Sequence, residues 1–307
     1  MPTRRYVFLA SSAYSGSTLL SYLLAAHPQV GSVSDVSGRR RSGQMATFAC
    51  SCGLPMRDCP FWADVTERAD AGGLQLDLAD FELGFDGSPA GWLRAIQARS
   101  LRWTWLERAR DRALAPLGVP RHMRRTAERS WAFAKIVMDV TGADAFVDAS
   151  KERLRIRYLE RYLPTPPLVI HLVRDVRGVV DSTIRRRKIE EDATQIARRW
   201  ARTNDAIRRQ LAELPAERQL QIRYEDLCRD VDGELRRAFA FIGVDPGAPQ
   251  APIGQDQHML GNRMRLSLAS DVRLDERWRE ALPAATERAV IAAAAPVFGR
   301  LYPEMKG

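Results

Sequence analysis

The chain has 307 residues, 45% of them hydrophobic and 28% charged, which is enough to bury one large core or two modest ones without any low-complexity tract. Its 47 Lys and Arg against 38 Asp and Glu give a net charge of +9, and Lys135, Lys151, Lys188 and Lys306 are the only lysines, so nearly every cation is Arg. Those arginines are scattered along helical stretches rather than grouped with aromatics, which points away from nucleic acid; no run of about 18 apolar residues is present to span a membrane, and four cysteines imply no disulfide scaffold. "MPTRRYVFLASS" imitates a secretory leader, but its apolar run is only about four residues long, and a cytoplasmic protein is expected.

In chain order, "RRYVFLAS" reads as a buried strand and "STLLSYLLAAHP" as a helix stopped before Pro28. Residues 31–126 read as irregular: a Gly/Ser/Arg stretch, a cysteine cluster, then Arg-rich helical segments carrying Trp92, Trp103 and Trp105. A helix from Thr126 leads into the short strand "DAFVDASK", followed by the helix "RIRYLERYL" and the apolar strand "PLVIHLVRD". One helix begins near Arg177, and a second runs from about Glu190 to Leu214. Then come a strand "QLQIRYEDL", a helix "GELRRAFAFIGV", a polar loop from Gly254 to Arg265, and helices to the end. Strands alternating with helices predict an α/β fold with a central, mostly parallel sheet covered on both faces. A single domain over residues 1–307 is expected, with a mainly helical insertion at 36–126 serving as a lid.

"SSAYSGSTLL" lies where the first strand gives way to a helix, the edge at which such sheets bind ligands. Gly16 lets the backbone turn closely, the amides of residues 15–19 can face an anion, and Ser17 and Thr18 add hydroxyl donors at the positive end of a helix. Taken alone, a Ser/Thr cap on a tight turn reads the same way. The triphosphate-binding pattern G-x-x-x-x-G-K-[ST] is only half present: Ser11 replaces its first Gly, and no Lys separates Gly16 from Ser17, which counts against ATP or GTP. A second signal is "LVIHLVRDVRGVVDSTIRRR", where Arg174 ends a buried strand and Ser182 follows two helical turns later. An Arg fork suits phosphate, and a hydroxyl at that spacing reaches the same group, although an Arg-Asp pair after a strand is also a common surface ion pair.

"YSGSTLL", "VRDVRGVVDS" and "IRYEDLCRDVDGELRRAFAFIGV", in that order, resemble the sulfotransferases that use 3′-phosphoadenosine-5′-phosphosulfate (PAPS), nearest in motif to bacterial carbohydrate and tyrosylprotein types. The likeness is good over residues 6–35, 147–187 and 220–265 and poor over 36–126. It implies a P-loop-type three-layer fold and transfer of a sulfonate to a hydroxyl of a small metabolite or carbohydrate. It also implies release of 3′-phosphoadenosine-5′-phosphate (PAP) without a required metal. The resemblance assigns the 5′-phosphosulfate to the loop of Tyr14, Ser15, Gly16, Ser17, Thr18 and Leu19, and the 3′-phosphate to Arg174 and Ser182. Tyr224 falls near the adenine, and Asn262 and Arg263 in "HMLGNRMR" match a basic loop that closes over the nucleotide.

One departure bears on catalysis. Many relatives carry Lys or Arg where this chain has Tyr14, so another cation must stabilise the leaving phosphate. Lys151, in "VDASK" after a strand, is the candidate, and Arg186 is a further cation or simply a solvated helix face. Asp35 stands where tyrosylprotein-type relatives have a Glu base, and Asp148 is the alternative base. His27 reads as closing the first helix, His171 as core, and His258 as lying in the nucleotide-side loop. Cys50, Cys52 and Cys59 in "CSCGLPMRDCPFW" offer three thiolates, one short of a structural zinc set unless the fold brings up Cys228; a disulfide or reduced cysteines packing a turn are the alternatives. Phe61, Trp62, Trp92, Trp103 and Trp105 line either an acceptor pocket or the insertion's own core. Two rival functions stay open, a P-loop small-molecule kinase and a catalytically inactive nucleotide-binding protein. The acceptor and the oligomeric state are not legible.

Overall fold

The computed structural model describes residues 4–36, 48–85, 92–93, 96, 101, 103–152, 154–187, 191–254, 257–261, 266 and 272–305. Its strands are β1 (Arg5–Ser11), β2 (Val30–Ser34), β3 (Ala145–Asp148), β4 (Leu168–Val173) and β5 (Gln219–Arg223), in the spatial order β2–β3–β1–β4–β5. Each pairs in parallel with its neighbour, and Val7 of the middle strand lies opposite both Val147 and Leu168. The helices are α1 (Ser17–Ala25), α2 (Pro60–Ala71), α3 (Thr104–Ala113), α4 (Val119–Thr141), α5 (Arg155–Tyr162) and α6 (Val176–Arg187). After these come α7 (Ala193–Leu211), α8 (Tyr224–Arg229), α9 (Val231–Ile242), α10 (Trp278–Ala281) and α11 (Ala284–Leu301).

A parallel strand buried on both faces must be apolar along its buried length, and β1 is from Tyr6 to Ala10. Tyr6, Phe8 and Ala10 point into one core with Phe133, Ala134 and Val137 of α4. Val7 and Leu9 point into the other, with Leu20, Leu23 and Leu24 of α1 and Leu235 and Phe239 of α9. The result is the expected three-layer α/β arrangement. A third apolar cluster joins α6, α7 and α11 around Trp200 and Phe298. Among the described residues no helix is long and apolar enough to cross a membrane.

Three local expectations need correction. Residues 30–34, "VGSVS", form β2 rather than an irregular stretch; its Gly and Ser content masks it. Gly31 is required there, because an added Cβ would lie 2.8 Å from Thr141 Oγ1, so the missing side chain lets α4 lie close on the strand. The strand expected over "QLQIRYEDL" stops at Arg223, and Tyr224 opens α8 instead. Helix α4 starts at Val119, well before Thr126, with Pro120 in its first turn where no N–H is needed.

The core layer under α4 continues into the 50–85 segment through Cys50, Met56, Trp62, Phe81 and Phe85. Trp62 is fully buried, but Trp92, Trp103 and Trp105 are 58%, 50% and 60% exposed, so those three belong to neither an insertion core nor an enclosed pocket wall. A buried ion pair fastens the same segment to the sheet. Asp148, ending β3, accepts from Arg155 Nε at 2.5 Å and from the Tyr6 hydroxyl at 2.6 Å, while Arg155 Nη1 donates to the Leu83 carbonyl at 2.7 Å. Both charged side chains are fully buried. Burial, followed by the Asp148 charge, raises the Tyr6 hydroxyl well above its ordinary pKa.

Removing one partner strands a buried charge. Arg155→Met is expected to cost about 3–5 kcal/mol in denaturant unfolding, and adding Asp148→Asn should recover part of that loss. A single-variant loss below about 1 kcal/mol would mean that the pair does not hold this junction.

Candidate active site

The carboxyl ends of all five strands share one edge, and the loop after β1 lies where the strand order reverses, with β3 on one side of β1 and β4 on the other, the place where open parallel sheets bind ligands. Tyr14 and Gly16 have φ of 63° and 90°, so the loop curls back before α1 begins. The amides at the start of α1 have no intrahelical acceptor, and the first helical bond runs from Leu20 N to Gly16 O at 3.0 Å. Ser12 and Ser15 share a hydrogen bond of 2.6 Å, and Ser15, Ser17 and Thr18 are buried around the turn. A Cβ on Gly16 would sit 2.6 Å from Cδ2 of Tyr224, so the ring packs directly against the loop and only glycine fits beneath it. Leu19 turns its side chain into the core beside α9, leaving its backbone to the loop.

Arg174 stands at the end of β4, 6% exposed. Its Nη1 donates to the Tyr14 carbonyl and to Ser182 Oγ, both at 3.2 Å, and its Nη2 donates to the Asp275 carbonyl at 3.0 Å. The guanidinium lies 4.4 Å from the centre of the Tyr224 ring and 3.3 Å from the Asp275 carboxylate. The site thus joins Tyr14, Arg174, Ser182 and Tyr224. Sequence reasoning missed Asp275, whose carboxylate also receives Arg277 at 2.8 Å and Arg185 at 3.4 Å. Hydrogen bonding from Arg277, with Arg174 adding to it against the cost of burial, holds that carboxyl far below the usual carboxylate range.

Gly178 is a second omission. A Cβ there would come 2.9 Å from Arg174 Nε, so a glycine within α6 makes room for the guanidinium. Its position inside a helix was the available signal. Trp200 Nε1 donates to the Arg174 carbonyl at 3.1 Å and fixes the backbone from behind.

Asp35 follows β2 and Lys151 follows β3, on neighbouring strands tied by Ala149 N to Ser34 O at 2.8 Å. Both are partly exposed at the edge, and Lys151 has φ 60°. Asp148, the alternative base, is engaged by Arg155 and Tyr6 and has no exposed surface from which to reach an acceptor. The ring of Tyr14 packs against the α6–α7–α11 cluster, so only its carbonyl is directed to Arg174. Arg186 is exposed on α6, one turn beyond Ser182. Asn262 and Arg263 lie outside the described residues.

Three buried hydroxyls at this edge, those of Ser11, Ser34 and Ser150, have no hydrogen-bond partner among the described residues. Buried polar groups are nearly always paired, so such a group at a strand end suits a polar ligand. The histidines divide differently. His171 is 1% exposed, bonds Asn204 at 3.0 Å, and is pushed by burial to a pKa of about 4, so it is neutral core. His27 follows α1; its Nε2 lies 2.8 Å from the Asp245 carbonyl, and its Nδ1 accepts from Gln29 N at 3.1 Å. His258 sits among the cysteines, with its Nδ1 3.5 Å from Cys50 Sγ and 3.3 Å from Cys59 Sγ.

Gly16→Ala combines a strained φ with a clash against the Tyr224 ring. It is expected to lower stability by about 1–3 kcal/mol, measured by denaturant unfolding; an unchanged midpoint would mean that the ring does not seat on the loop.

A family model described as the sulfotransferase family matches residues 91–247. No curated protein matches the chain. Among solved structures, the sulfotransferase domain from the Synechococcus PCC 7002 olefin synthase is 21% identical with a TM-score of 0.54, over 96% of this chain and 95% of that one. The sulfotransferase domain from the curacin biosynthetic pathway is 19% identical with a TM-score of 0.51, over 96% and 98%. Sulfotransferase STF9 from Mycobacterium avium is 13% identical with a TM-score of 0.50, over 100% and 78%. At these identities the likeness speaks for the fold, while the family match spans more than half of the chain: the chain belongs to the sulfotransferase family.

Proposed function

We propose that the chain transfers the sulfonate of PAPS to a hydroxyl of a small-molecule or carbohydrate acceptor. The observation that carries this reading is the order of side chains across the sheet edge: Asp35 after β2, Lys151 after β3, the Ser15–Thr18 turn after β1, Arg174 after β4 and Tyr224 after β5. Groups for an acceptor, a sulfonate, a phosphate and a nucleoside follow one another in that sequence. The unpaired hydroxyls of Ser11, Ser34 and Ser150 at the same edge fit an anionic, oxygen-rich donor.

When bound, PAPS supplies an activated sulfonate: the acceptor oxygen–sulfur bond forms as the bond from sulfur to the bridging oxygen breaks, and PAP departs. The chain's own part is to hold and to neutralise. The amides at the start of α1, including Leu19, with the Ser15, Ser17 and Thr18 hydroxyls, bind the phosphosulfate, and the helix dipole favours its charge. Arg174 and Ser182 bind the 3′-phosphate, which competes with the Asp275 carboxylate for the same guanidinium. Arg186 on α6 adds positive charge nearby, and Tyr224 borders the adenine. Lys151 neutralises the charge developing on the leaving phosphate, the role many relatives give to the position of Tyr14. Asp35 accepts the proton of the acceptor hydroxyl, in line with the breaking bond. Residues 36–126 form the acceptor side of a single domain that needs no metal at the donor.

The Tyr14 substitution favours a second reading, a protein that binds the nucleotide without turnover. A kinase is less well supported, because the lysine between Gly16 and Ser17 is missing. Saturating PAP, at about one hundred times its Kd, is expected to stabilise the protein by about 2.7 kcal/mol, with Mg-ATP leaving Tm unchanged. Arg174→Ala should weaken PAP binding about 10- to 100-fold in calorimetry; equal affinity would remove Arg174 from the phosphate site. Lys151→Ala and Asp35→Asn should each lower kcat about a hundredfold or more with PAP affinity preserved. Tight PAP binding without sulfonation of any hydroxyl acceptor tested would select the inactive reading.

A further inference from the structure

Cys50, Cys52, Cys59 and His258 come together although His258 is 199 residues beyond Cys59. Their donor atoms all lie within 4.8 Å of one another. The Cys52 and Cys59 sulfurs are 3.6 Å apart, and His258 Nδ1 lies 3.5 Å from Cys50 Sγ and 3.3 Å from Cys59 Sγ. A tetrahedral zinc ion with bonds of about 2.3 Å to sulfur and 2.0 Å to nitrogen needs its sulfurs about 3.8 Å apart and its sulfur–nitrogen edges about 3.5 Å long. A disulfide needs about 2.05 Å between sulfurs, far from what these thiols show. The fourth ligand that the cysteine spacing lacks is thus supplied by His258, while Cys228 sits on α8 beside Tyr224.

The local backbone is arranged to hold such a group. Gly53, with φ 90°, closes a turn in which Cys50 N donates to Leu54 O and Gly53 N donates to Cys50 O. The Cys52 amide points at the Cys50 sulfur, and the Phe61 and Trp62 amides, at the start of α2, point at the Cys59 sulfur. Phe61 stacks flat on the His258 ring, 4.5 Å between centres and 5° from parallel, and so sets the imidazole plane. Ser51 grips both sides of His258: its hydroxyl donates to the Gln257 carbonyl and accepts from Met259 N, each at 2.6 Å.

We propose that these four residues form a structural zinc site of the Cys3His type. Three thiols and the imidazole Nδ1 lone pair ligate the ion; each thiol releases its proton to solvent, and the imidazole keeps its proton on Nε2. Four protein ligands leave no open position, so the ion is not a Lewis acid for the reaction. Soft thiolates in a tetrahedral set select zinc over magnesium or calcium. The ion fastens the 50–59 turn to the 257–261 strand of chain, whose Leu260 N donates to Val33 O on β2 at 2.9 Å. A Cβ on Gly261 would meet Asp35 Cβ at 3.3 Å, so the clip also braces the segment beside Asp35. This inference is independent of the donor and acceptor readings.

The test is metal analysis of the purified full-length chain by plasma mass spectrometry. Stoichiometric zinc is expected, retained on dialysis and released to a chromophoric chelator as a mercurial titrates the thiols. Cobalt-loaded protein should show thiolate-to-cobalt charge transfer and the d–d bands of a tetrahedral site. Cys52→Ser, at an exposed thiol with little packing to lose, and His258→Ala should both lose the metal, while Cys228→Ser keeps it. Stripping the ion should lower Tm by several degrees, about 5 °C or more. Absence of zinc with freely titrating thiols, a Cys52–Cys59 disulfide in peptide mapping, or undiminished zinc in Cys52→Ser (an adventitious ion only) would each overturn the site.

Discussion

The site depends on how one guanidinium is held. Arg174 touches the loop after β1 through the Tyr14 carbonyl, α6 through Ser182 and Gly178, the start of α8 through the Tyr224 ring, and the approach to α10 through Asp275. A buried charge is tolerated only when its donors are satisfied, so each of these stretches is constrained by the same group. The constraint reaches further through Tyr224, whose ring occupies the volume that any residue other than glycine would fill at position 16. The geometry around Arg174 is therefore set by charge pairing and close packing together.

The neighbouring 50–85 segment is held by different physics. Asp148 and Arg155 form a fully buried pair that joins the end of β3 to Leu83, and the cysteine cluster joins the 50–59 turn to the chain beside β2. Both fasten the 50–85 segment to the carboxyl edge of the sheet at points flanking Asp35 and Lys151. With a Cys3His zinc ion in that cluster, a long stretch of poor sequence likeness to other sulfotransferases still acquires a fixed position. Its apolar residues, Trp62 and Phe81 among them, also pack into the core layer under α4, so packing and the Asp148–Arg155 pair order it together.

Much of the framework was readable locally. β1 and β4 are apolar along nearly all of their length, His171 apart, because both of their faces are covered, and such runs identify themselves without any knowledge of their neighbours. The Ser/Gly/Thr turn and the Arg174–Ser182 spacing are likewise local, each set by a strand end and a helix start. β2 was not readable, since Gly31 answers to the close approach of Thr141 on α4, which is more than a hundred residues away. Gly178 was visible as a glycine inside a helix, but its reason, the Arg174 guanidinium, is a tertiary contact. Asp275 carried no local signal at all.

From the chain alone came the α/β class, the Ser/Gly/Thr turn at the end of β1, the likeness to PAPS-using enzymes and the candidates Asp35, Lys151, Arg174 and Ser182, because strand burial, turn geometry and helix spacing are properties of short segments. Tertiary structure decided that Asp148 is consumed by Arg155, that Tyr14 directs a carbonyl rather than its ring to Arg174, and that His258 joins Cys50, Cys52 and Cys59. Those outcomes turn on which distant side chains share one small volume. Close packing and the pairing of buried charge settle that, and neither leaves a period or spacing to be read along the chain.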